Sequence, residues 1–336
     1  MTKLNSLTFT LASNNYGYGH LKRMINLNTE LKINDIKNKI IYFSKKKIID
    51  YKKSKKINFT QIDKFLSKKN ISFCILDLSN RVFFKKKIFD NLISLFVKYR
   101  TPLIIFDDFS NKIWKILNII NQKSYVVCPY IYKNNFIKQK KKYFLNLKVG
   151  PKFAILKKIS PQIKKNTKLK NILISCGGSD FKNLTHKLII VLKKYKKLKV
   201  SVIIGPHFDK FEKIKINKLK SDNVKIFRNI NNILPIAKKH DLAIISSGLT
   251  KYELLSINMN FAVISENKSF YEFHKPFAKK KLCYDLGYFK NSEKLGDKIN
   301  FLINDYEKVF KSKIRKKLVD FKGANRIVGL IKNNFN

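Results

Sequence analysis

Glycine, histidine and cysteine are scarce in this chain of 336 residues, which contains 11 glycines, five histidines and four cysteines. The four cysteines lie far apart along the chain, and three of them sit in apolar runs. The sequence therefore lacks the Cys-x-x-Cys and Cys/His pairs that typically bind zinc. We predict buried free thiols in a reducing cytoplasm, with neither a metal nor another cofactor.

Long apolar runs are missing as well. The N-terminal stretch is too polar for a signal peptide, and no segment approaches the roughly 18 apolar residues of a membrane-spanning helix. Hydrophobic residues nevertheless make up 44% of the chain, which is enough to bury a core. The prediction is a cytoplasmic monomer that could touch an anionic membrane surface through its lysines.

Acidic residues are few, with 22 Asp and Glu against 72 Lys and Arg, which gives a formal net charge of +50. Such a charge favours a nucleic-acid or membrane partner. The excess is mostly lysine, is spread over every segment, and accompanies Ile, Asn and Phe, which AT-rich genomes over-use. We interpret it as compositional and predict no specific nucleic-acid partner. A nucleic-acid-binding protein remains the alternative outside enzymes, and a fold that binds nucleotide without catalysis is another.

Short apolar runs alternate with helical patterns along the whole chain, which is typical of parallel sheets covered by helices on both faces. A lysine-rich region at 133–170 divides the chain, so we predict domains at 1–150 and 151–336. The predicted strands are 7–12, 39–43, 71–76, 103–106, 125–127, 171–176, 199–204, 224–227, 242–245 and 261–264. The predicted helices are 20–33, 83–99, 111–121, 184–195, 208–219, 231–238 and 250–257, followed by a helical tail after 291.

The first turn that could bind a ligand or catalyse a reaction is "NNYGYGHLKR", which places Gly17, Gly19 and His20 between a strand and a helix. Ligands bind at the carboxyl ends of parallel strands, where glycine lets the backbone approach them closely. A neutral His20 at the helix start could act as a general base, and Arg23 could hold an anion. The alternative is an ordinary tight turn in which His20 only caps the helix.

The second turn, "SCGGSD", follows a strand and precedes a helix. Gly177, Gly178, Ser179 and Asp180 form a candidate phosphate cradle there. The sequence matches neither a Walker A loop nor a G-x-G-x-x-G fingerprint. The alternative is a plain strand-to-helix turn in which Asp180 or Asn183 caps the helix.

The third turn, "SSGLTKYE", contains Ser247, Gly248, Leu249 and Thr250, and Glu253 lies in the first helical turn after it. A carboxylate at this place suits the diol of a ribose. The alternative is structural, because Thr250 and Glu253 have the spacing of a helix capping box.

Two aspartates also follow first-half strands, Asp77 in "CILD" and Asp108 in "IIFDD". Either could orient a substrate or assist His20. Each could equally cap the next helix.

Five ordered stretches together resemble the GT-B superfamily, and within it the UDP-sugar hydrolases of pseudaminic acid biosynthesis. They are "GYGHLKR", "IIFDD", "GPKFAIL", "ILISCGGSDFKNLT" and "IISSGLTKYELL". The resemblance implies an α/β fold with two Rossmann-like, doubly wound parallel-sheet domains that face a cleft. UDP would be held mainly by the second domain.

The same resemblance implies roles for individual residues. The diphosphate would contact Gly177, Gly178 and Ser179, and the nucleotide would lie on Ser247, Gly248 and Leu249, with Glu253 on the ribose. Asn267 matches the sugar site. His20 matches the residue that activates water to attack C1 of a UDP-linked deoxy-acetamido sugar, which releases UDP without a metal. A related glycosyltransferase, passing the sugar to an acceptor, would keep the same loops.

Overall fold

The computed structural model describes residues 4–12, 18–44, 47–67, 71–78, 86–106, 123–131, 146–157, 168–180, 182–230, 232–246, 248–288, 294–311 and 318–335. The chain divides into two compact units. One comprises Met1–Lys157 together with Val319–Asn336, and the other comprises Lys158–Leu318. The predicted boundary after residue 150 lies close to this division. The predicted assignment of the whole C-terminal segment to the second domain differs from it.

The first unit begins with a strand, a helix and an antiparallel ribbon, and continues with alternating strands and helices. Its elements are β1 (Asn5–Leu11), α1 (Gly19–Ile33), β2 (Lys37–Ser44), β3 (Lys47–Asp50), β4 (Lys55–Ile57), α2 (Phe59–Ser67), β5 (Phe73–Asp77), α3 (Lys86–Lys98), β6 (Leu103–Phe106), β7 (Tyr125–Cys128), β8 (Leu147–Val149) and a 3-10 turn (Pro151–Phe153).

The sheet of the first unit has the strand order β4-β3-β2-β1-β5-β6-β7-β8. The six strands from β2 to β8 in that order are parallel, and β3 and β4 are antiparallel at one edge. The central strands are buried apolar runs, as expected for strands covered on both faces. The chain moves from β1 to one side of the sheet and later returns to β5 on the other, so the carboxyl ends of these two neighbours form a topological switch point.

The second unit follows the same alternation without an antiparallel ribbon. Its elements are β9 (Asn171–Ser175), α4 (Leu184–Leu192), β10 (Lys199–Ile203), α5 (Lys210–Asn217), β11 (Val224–Phe227), α6 (Leu234–Ala237), β12 (Leu242–Ser246), α7 (Thr250–Ser256), β13 (Asn260–Ser265), α8 (Lys268–Lys279), β14 (Tyr284–Tyr288), α9 (Leu295–Asn304) and α10 (Tyr306–Lys311).

The sheet of the second unit has the order β11-β10-β9-β12-β13-β14, and all its strands are parallel. Counted from β9, this is the Rossmann order 3-2-1-4-5-6. The switch point lies between β9 and β12. Apolar residues of these strands and of α4 and α9 fill the core, among them Ile172, Leu188, Ile244 and Ile299.

The last helix, α11 (Gly323–Phe335), belongs to the first unit. Its apolar side, including Ile327 and Ile331, lies in one core with Met24 of α1 and Phe73 of β5. The ring of Phe335 stacks on that of Phe73, with centroids 5.1 Å apart. The helical tail predicted after residue 291 is therefore confirmed, but its last helix completes the core of the opposite half of the sequence.

Each predicted strand is present, and so are the predicted helices that fall on described residues. The predicted helix at 111–121 lies outside the described residues. Among the described residues, seven elements were not predicted: β3, β4, α2, β8, the 3-10 turn, α8 and β14. The four cysteines are buried free thiols, which confirms that prediction. Among the residues that the structure describes, no helix is both long and apolar enough to cross a bilayer.

Candidate functional site

His20 and Asp77 meet at the switch point of the first unit. The turn after β1 delivers His20 in the first turn of α1, which begins at Gly19. Asp77 is the last residue of the neighbouring strand β5 and is fully buried. His20 Nδ1 lies 2.8 Å from Asp77 Oδ1, and the imidazole side chain is 20% exposed. Three roles were predicted for Asp77, namely orienting a substrate, assisting His20 and capping the next helix, and this contact is the one that assistance to His20 requires.

Arg23 is a buried partner of this pair rather than a surface cation. Its Nε donates to Asp77 Oδ2 at 2.9 Å, Nη2 also donates to Asp77, and Nη1 donates to the Tyr130 hydroxyl at 2.6 Å. The guanidinium carbon lies 5.2 Å from the ring centroid of Phe106. Since Arg23 is only 4% exposed and binds Asp77 and Tyr130, the predicted anion-binding role is replaced by one of holding Asp77.

These contacts fix the charge of Asp77. Burial acts to raise the pKa of its carboxyl, but the charges of Arg23 and His20 and their hydrogen bonds lower that pKa to about 2. Burial likewise acts to lower the pKa of Arg23, while Asp77 and Tyr130 raise it above its ordinary value. Asp77 is therefore an anion and can only accept hydrogen bonds near neutral pH.

An anionic Asp77 also selects the tautomer of His20. The short contact with Asp77 requires a proton on Nδ1, so in the neutral ring Nε2 carries the lone pair. A carboxylate that orients an imidazole through Nδ1 is the arrangement by which histidine acts as a general base in hydrolases. Nε2 of His20, held at the carboxyl ends of β1 and β5, can therefore accept a proton from a substrate or a water molecule.

A glycine cradle lies at the switch point of the second unit, after β9. Gly177 adopts a φ of +92°, which favours glycine, and its backbone is exposed. The loop after β10 packs directly on this turn. A side chain at Gly205 would overlap the carbonyl oxygens of Gly177 and Gly178. His207 N donates to Gly178 O at 2.9 Å, and its ring lies beside Gly178.

Asp180 binds the first two amides of α4 from the preceding loop, while the N-cap residue itself is Asn183, which makes no side-chain capping hydrogen bond. Asp180 is 2% exposed, and its two carboxylate oxygens accept hydrogen bonds from the amides of Leu184 at 2.9 Å and Thr185 at 2.6 Å. The predicted ligand contact of Asp180 is replaced by the capping alternative, because both oxygens are engaged with the helix. The cap fixes the direction in which the chain leaves the cradle.

Two further carboxyls interact with Asp180, which follows the cradle, and the sequence did not single them out. Burial, and then the charge of Asp180, raise the pKa of Glu212 on α5 to about 8. The same two causes raise the pKa of Glu266, after β13, to about 7. Near neutral pH, Glu212 is therefore mostly protonated and Glu266 is about half protonated. This lowers the negative charge that an anionic ligand would meet at the cradle.

The turn after β12 touches the cradle. A side-chain carbon at Gly177 would lie 3.5 Å from Ser246 Oγ, so the ends of β9 and β12 are in contact. Gly248 is exposed and Leu249 half-buried. Helix α7 begins at Thr250 with Leu249 as its N-cap and no side-chain capping hydrogen bond. The capping-box interpretation is therefore wrong, since Thr250 stands inside the helix, and Glu253 lies half-buried in the first turn.

The turn after β13 holds Asn267, whose side-chain oxygen accepts a hydrogen bond from Phe270 N at 3.1 Å. Asn267 is thus the N-cap of α8, a role that leaves its side-chain amide group available to a ligand. β13 is the neighbour of β12. The three turns of the second unit that contain predicted site residues therefore follow the carboxyl ends of three adjacent strands, β9, β12 and β13.

The structure brings the described site residues together in two sets. Gly19, His20, Arg23 and Asp77 lie at one edge of the first sheet, and the others lie at the corresponding edge of the second. Gly17, Asp108 and Ser247 lie outside the described residues. Tyr130 follows β7 at the same edge as Asp77, a position that the strand pattern gives, but its contact with Arg23 has no sequence signal. Across the described ranges, no group of three or more His, Cys, Asp or Glu side chains could hold a metal ion.

Two curated proteins illustrate the similarity of the sequence to known chains. It is 31% identical over 286 residues to the uncharacterized protein MJ1062 of Methanocaldococcus jannaschii, over 79% of this chain and 56% of that protein. It is 25% identical over 194 residues to the spore coat polysaccharide biosynthesis protein SpsG of Bacillus subtilis, over 55% of this chain and 57% of that protein. The chain thus spans little more than half the length of these relatives. No protein-family model matches it.

Solved structures share its fold at low identity. The S. aureus MnaA–UDP structure superimposes with a TM-score of 0.69 and 12% identity, covering 98% of this chain and 96% of that one. Acinetobacter baumannii MurG gives 0.65 and 13%, covering 98% and 99%. Arabidopsis thaliana UGT89C1 complexed with UDP-L-rhamnose gives 0.62 and 12%, again covering 98% and 99%. With two Rossmann-like α/β units built on parallel strands, this chain has the GT-B fold.

Proposed function

We propose that the chain is an enzyme that acts on UDP-linked sugars. More specifically, we propose that it hydrolyses a UDP-linked deoxy-acetamido sugar at the C1–O bond in nonulosonic acid biosynthesis. The observation that carries the proposal is the His20–Asp77 pair, in which an ionised, buried carboxylate leaves Nε2 of His20 as the basic nitrogen. The similarity to SpsG, a polysaccharide biosynthesis protein, and to the UDP-bound MnaA structure supports the substrate class.

The second unit would bind the nucleotide. In this proposal the diphosphate lies on the cradle of Gly177, Gly178 and Ser179. The uridine lies on the turn after β12, with Glu253 on the ribose diol. The raised pKa values of Glu212 and Glu266 support an anionic ligand beside them, because protonated carboxyls do not repel phosphate. Asn267 is proposed to contact the sugar.

The proposed reaction is a displacement at C1 of the sugar. Nε2 of His20 takes a proton from water, and the water oxygen forms a bond to C1. The bond from C1 to the β-phosphate oxygen breaks, and UDP leaves with the electron pair. Asp77 stabilises the resulting imidazolium, while hydrogen-bond donors of the cradle stabilise the charge that develops on the leaving group.

Transfer of the sugar to an alcohol is the second candidate. It is supported by the fold likeness to MurG and to UGT89C1 complexed with UDP-L-rhamnose. The same base would take a proton from an acceptor hydroxyl in place of water. The two reactions differ in whether UDP is released without an added acceptor.

Product analysis tests the proposal. The purified chain is incubated with a series of UDP-acetamido sugars, and UDP and free sugar are quantified. Equal amounts of both without an acceptor are expected for a hydrolase. UDP release only with an added alcohol supports transfer, and an isomerised UDP-sugar contradicts both. No UDP binding at millimolar concentration would remove the substrate class.

The His20→Ala variant tests the base. We expect it to lower turnover by about 10²–10⁴-fold, the usual contribution of a general base, while its UDP affinity stays near that of the wild type. The matched control is His186→Ala, which removes a half-buried histidine of α4. Full activity in His20→Ala, or an equal loss in the control, would show that His20 is not the base.

A further inference from the structure

Ser265, His274 and Asp285 form a hydrogen-bonded chain in the second unit that the proposed reaction does not use, and only its Asp285 end is partly exposed. Ser265 Oγ lies 2.6 Å from His274 Nδ1, and His274 Nε2 lies 2.9 Å from Asp285 Oδ1. Ser265 and His274 are completely buried. The three residues come from the end of β13, the middle of α8 and the start of β14, so the chain joins three elements.

The contacts show which atoms donate and which accept the hydrogen bonds between these three residues. Burial acts to raise the pKa of the Asp285 carboxyl, but the hydrogen bond to His274 and the amide of Gly287 hold it below its ordinary value. Asp285 is then an acceptor, and Nε2 of His274 carries a proton. In the neutral ring, Nδ1 accepts the proton of the Ser265 hydroxyl.

The three residue types are those of a hydrolytic triad, but the arrangement excludes that chemistry. In a triad the serine binds Nε2 and the carboxylate binds Nδ1. Here the two partners are exchanged. Ser265 is also 0% exposed, so no substrate can reach its oxygen.

The hydrogen bonds of Ser265, His274 and Asp285 instead brace the turn between β13 and α8. That turn consists of Glu266 and Asn267 and follows Ser265 directly. On its far side, β13 and β14 change register between Val263 and Ile264, and Gly287 adopts a φ of +89°. Asp285 spans this irregularity, because the same oxygen binds His274 and the amide of Gly287.

The braced turn follows β13, which is the neighbour of β12, and β12 is the neighbour of β9, whose end carries the cradle. The charge of Asp180 also raises the pKa of Glu266 in this turn. Asp180 in turn binds the first amide of the helix that leaves the cradle. A displacement of the turn would therefore move Glu266 and Asn267 relative to Gly177 and Gly178.

We propose that Ser265, His274 and Asp285 are positioning residues that hold the turn after β13 in place to receive the sugar portion of a nucleotide-linked sugar. This inference rests on the proposed function for the identity of the ligand. The bracing itself does not depend on that identity. A buried polar chain with all its members paired favours one conformation of the segment that it joins.

Two variants weaken the chain with little change in volume. Ser265→Ala removes one oxygen, and Asp285→Asn keeps the acceptor oxygen but removes the charge, which weakens the hydrogen bond from His274. The matched control is Tyr306→Phe. The hydroxyl that it deletes accepts a hydrogen bond from Asn260 at the start of β13 and donates one to the carbonyl of Asp241 just before β12. Both contacts lie at the amino ends of these strands, whereas the turn lies at the carboxyl end of β13. All three variants lose or weaken hydrogen bonds in the same unit, but only the first two act at the turn.

The first measurement needs no ligand. Hydrogen–deuterium exchange of the segment 264–270 is expected to accelerate about tenfold in Ser265→Ala and Asp285→Asn, as local opening becomes easier. The segment 172–180 and the Tyr306→Phe control should retain wild-type exchange at these positions. A uniform rise in exchange, or the same local rise in the control, would overturn the bracing role.

The second measurement is calorimetric titration with UDP and with UDP-N-acetylglucosamine. In the two variants we expect the affinity for the UDP-sugar to fall about tenfold, as for a lost polar contact, and that for UDP to change less than about twofold. Equal losses for both ligands, or none, would overturn the inference. If the wild-type protein binds neither ligand, the proposed function is overturned. The exchange data would still decide whether Ser265, His274 and Asp285 brace the turn.

Discussion

At the scale of single residues, the unusual feature is a buried guanidinium and a buried carboxylate beside a partly exposed imidazole. Removing both charges from water is costly, and their mutual attraction offsets that cost only with good geometry. Arg23 meets this condition with two hydrogen bonds to Asp77 and one to Tyr130. The arrangement holds Asp77 rigidly and so fixes the imidazole that it contacts.

Asp77→Asn tests the charge of this carboxyl. The variant keeps an acceptor oxygen but no longer requires a proton on Nδ1 of His20. We expect turnover to fall by about 10³–10⁴-fold, as in triads that lose the aspartate charge, with unchanged UDP affinity. Asp320→Asn is the control, because Asp320 pairs with Arg326 in the same unit. A comparable loss of turnover in the control would contradict the role of Asp77.

The same carboxyl predicts a pH dependence of stability. The pKa of Asp77 is lowered from 3.8 to about 2 in the folded chain. A lowered pKa means that the folded state gains stability above pH 3.8 and loses it as the pH falls through about 2. The gain is about 2 kcal/mol for a buried group. In urea unfolding, the difference between wild type and Asp77→Asn should therefore shrink between pH 4 and pH 2; a constant difference would contradict the ion pairing.

The sequence was informative about His20 and Asp77 for a simple reason. Residues that follow neighbouring parallel strands come to one edge, and the strand pattern identified both strands. Arg23 and Asp180 were misinterpreted because spacing gives the face of a helix or the start of a loop, but not the burial. Whether a charged side chain turns inward depends on partners such as Tyr130, which lies more than 100 residues away in sequence.

At the scale of elements, the buried central strands were easier to predict than the strands at the sheet edges. Buried parallel strands are continuous apolar runs, which is why β1, β5, β9 and β12 could be located. The ribbon of β3 and β4 is short and lysine-rich, so it lacks that signal. Helix α8 contains Pro276, which ordinarily indicates a helix end. The packing of α8 against β13 and β14 outweighs this local preference.

The contact between the β10 loop and the cradle yields a prediction at this scale. Gly205→Ala would drive its new carbon into the carbonyl oxygens of Gly177 and Gly178, which are backbone atoms that cannot rotate away. The cradle must shift, and we expect UDP affinity to fall at least about tenfold, the cost of roughly one misplaced polar contact. Calorimetric titration with UDP measures this loss.

Gly296→Ala is the matched control for this substitution. Among the residues that the structure describes, nothing lies within 4 Å of the carbon that it adds, and it stands in the first turn of α9, which follows the edge strand β14. Its UDP affinity should equal that of the wild type. An unchanged affinity in Gly205→Ala would mean that the turn after β9 does not contact the ligand.

At the scale of the whole molecule, the chain order and the spatial order differ. The sequence assigns everything after residue 150 to one domain, since no composition change marks a return. The structure gives the last helix to the first unit, where Ile327, Val328 and Ile331 share a core with α1 and β5. The reason lies in apolar complementarity between distant segments, which no local pattern encodes.

The start of α11 provides a test of this assignment. Gly323 packs so closely on the 3-10 turn that an added carbon would overlap the carbonyl group of Ala154 and the backbone of Phe153. Gly323→Ala must therefore push the start of α11 away from the 3-10 turn of the first unit. We expect a loss of about 1–3 kcal/mol in the free energy of unfolding, the usual cost of overpacking, measured by urea denaturation followed by circular dichroism.

Gly329→Ala, two turns further along the same helix, is expected to do the opposite. Its added carbon meets no described residue within 4 Å, so only the helix preference of alanine remains. That preference raises stability by about 0.5–1 kcal/mol. A C-terminal helix that did not pack on the first unit would respond to the two substitutions alike, because both would then exchange glycine for alanine in an open helix. Opposite signs within one helix are therefore the outcome that distinguishes a docked α11 from an undocked one.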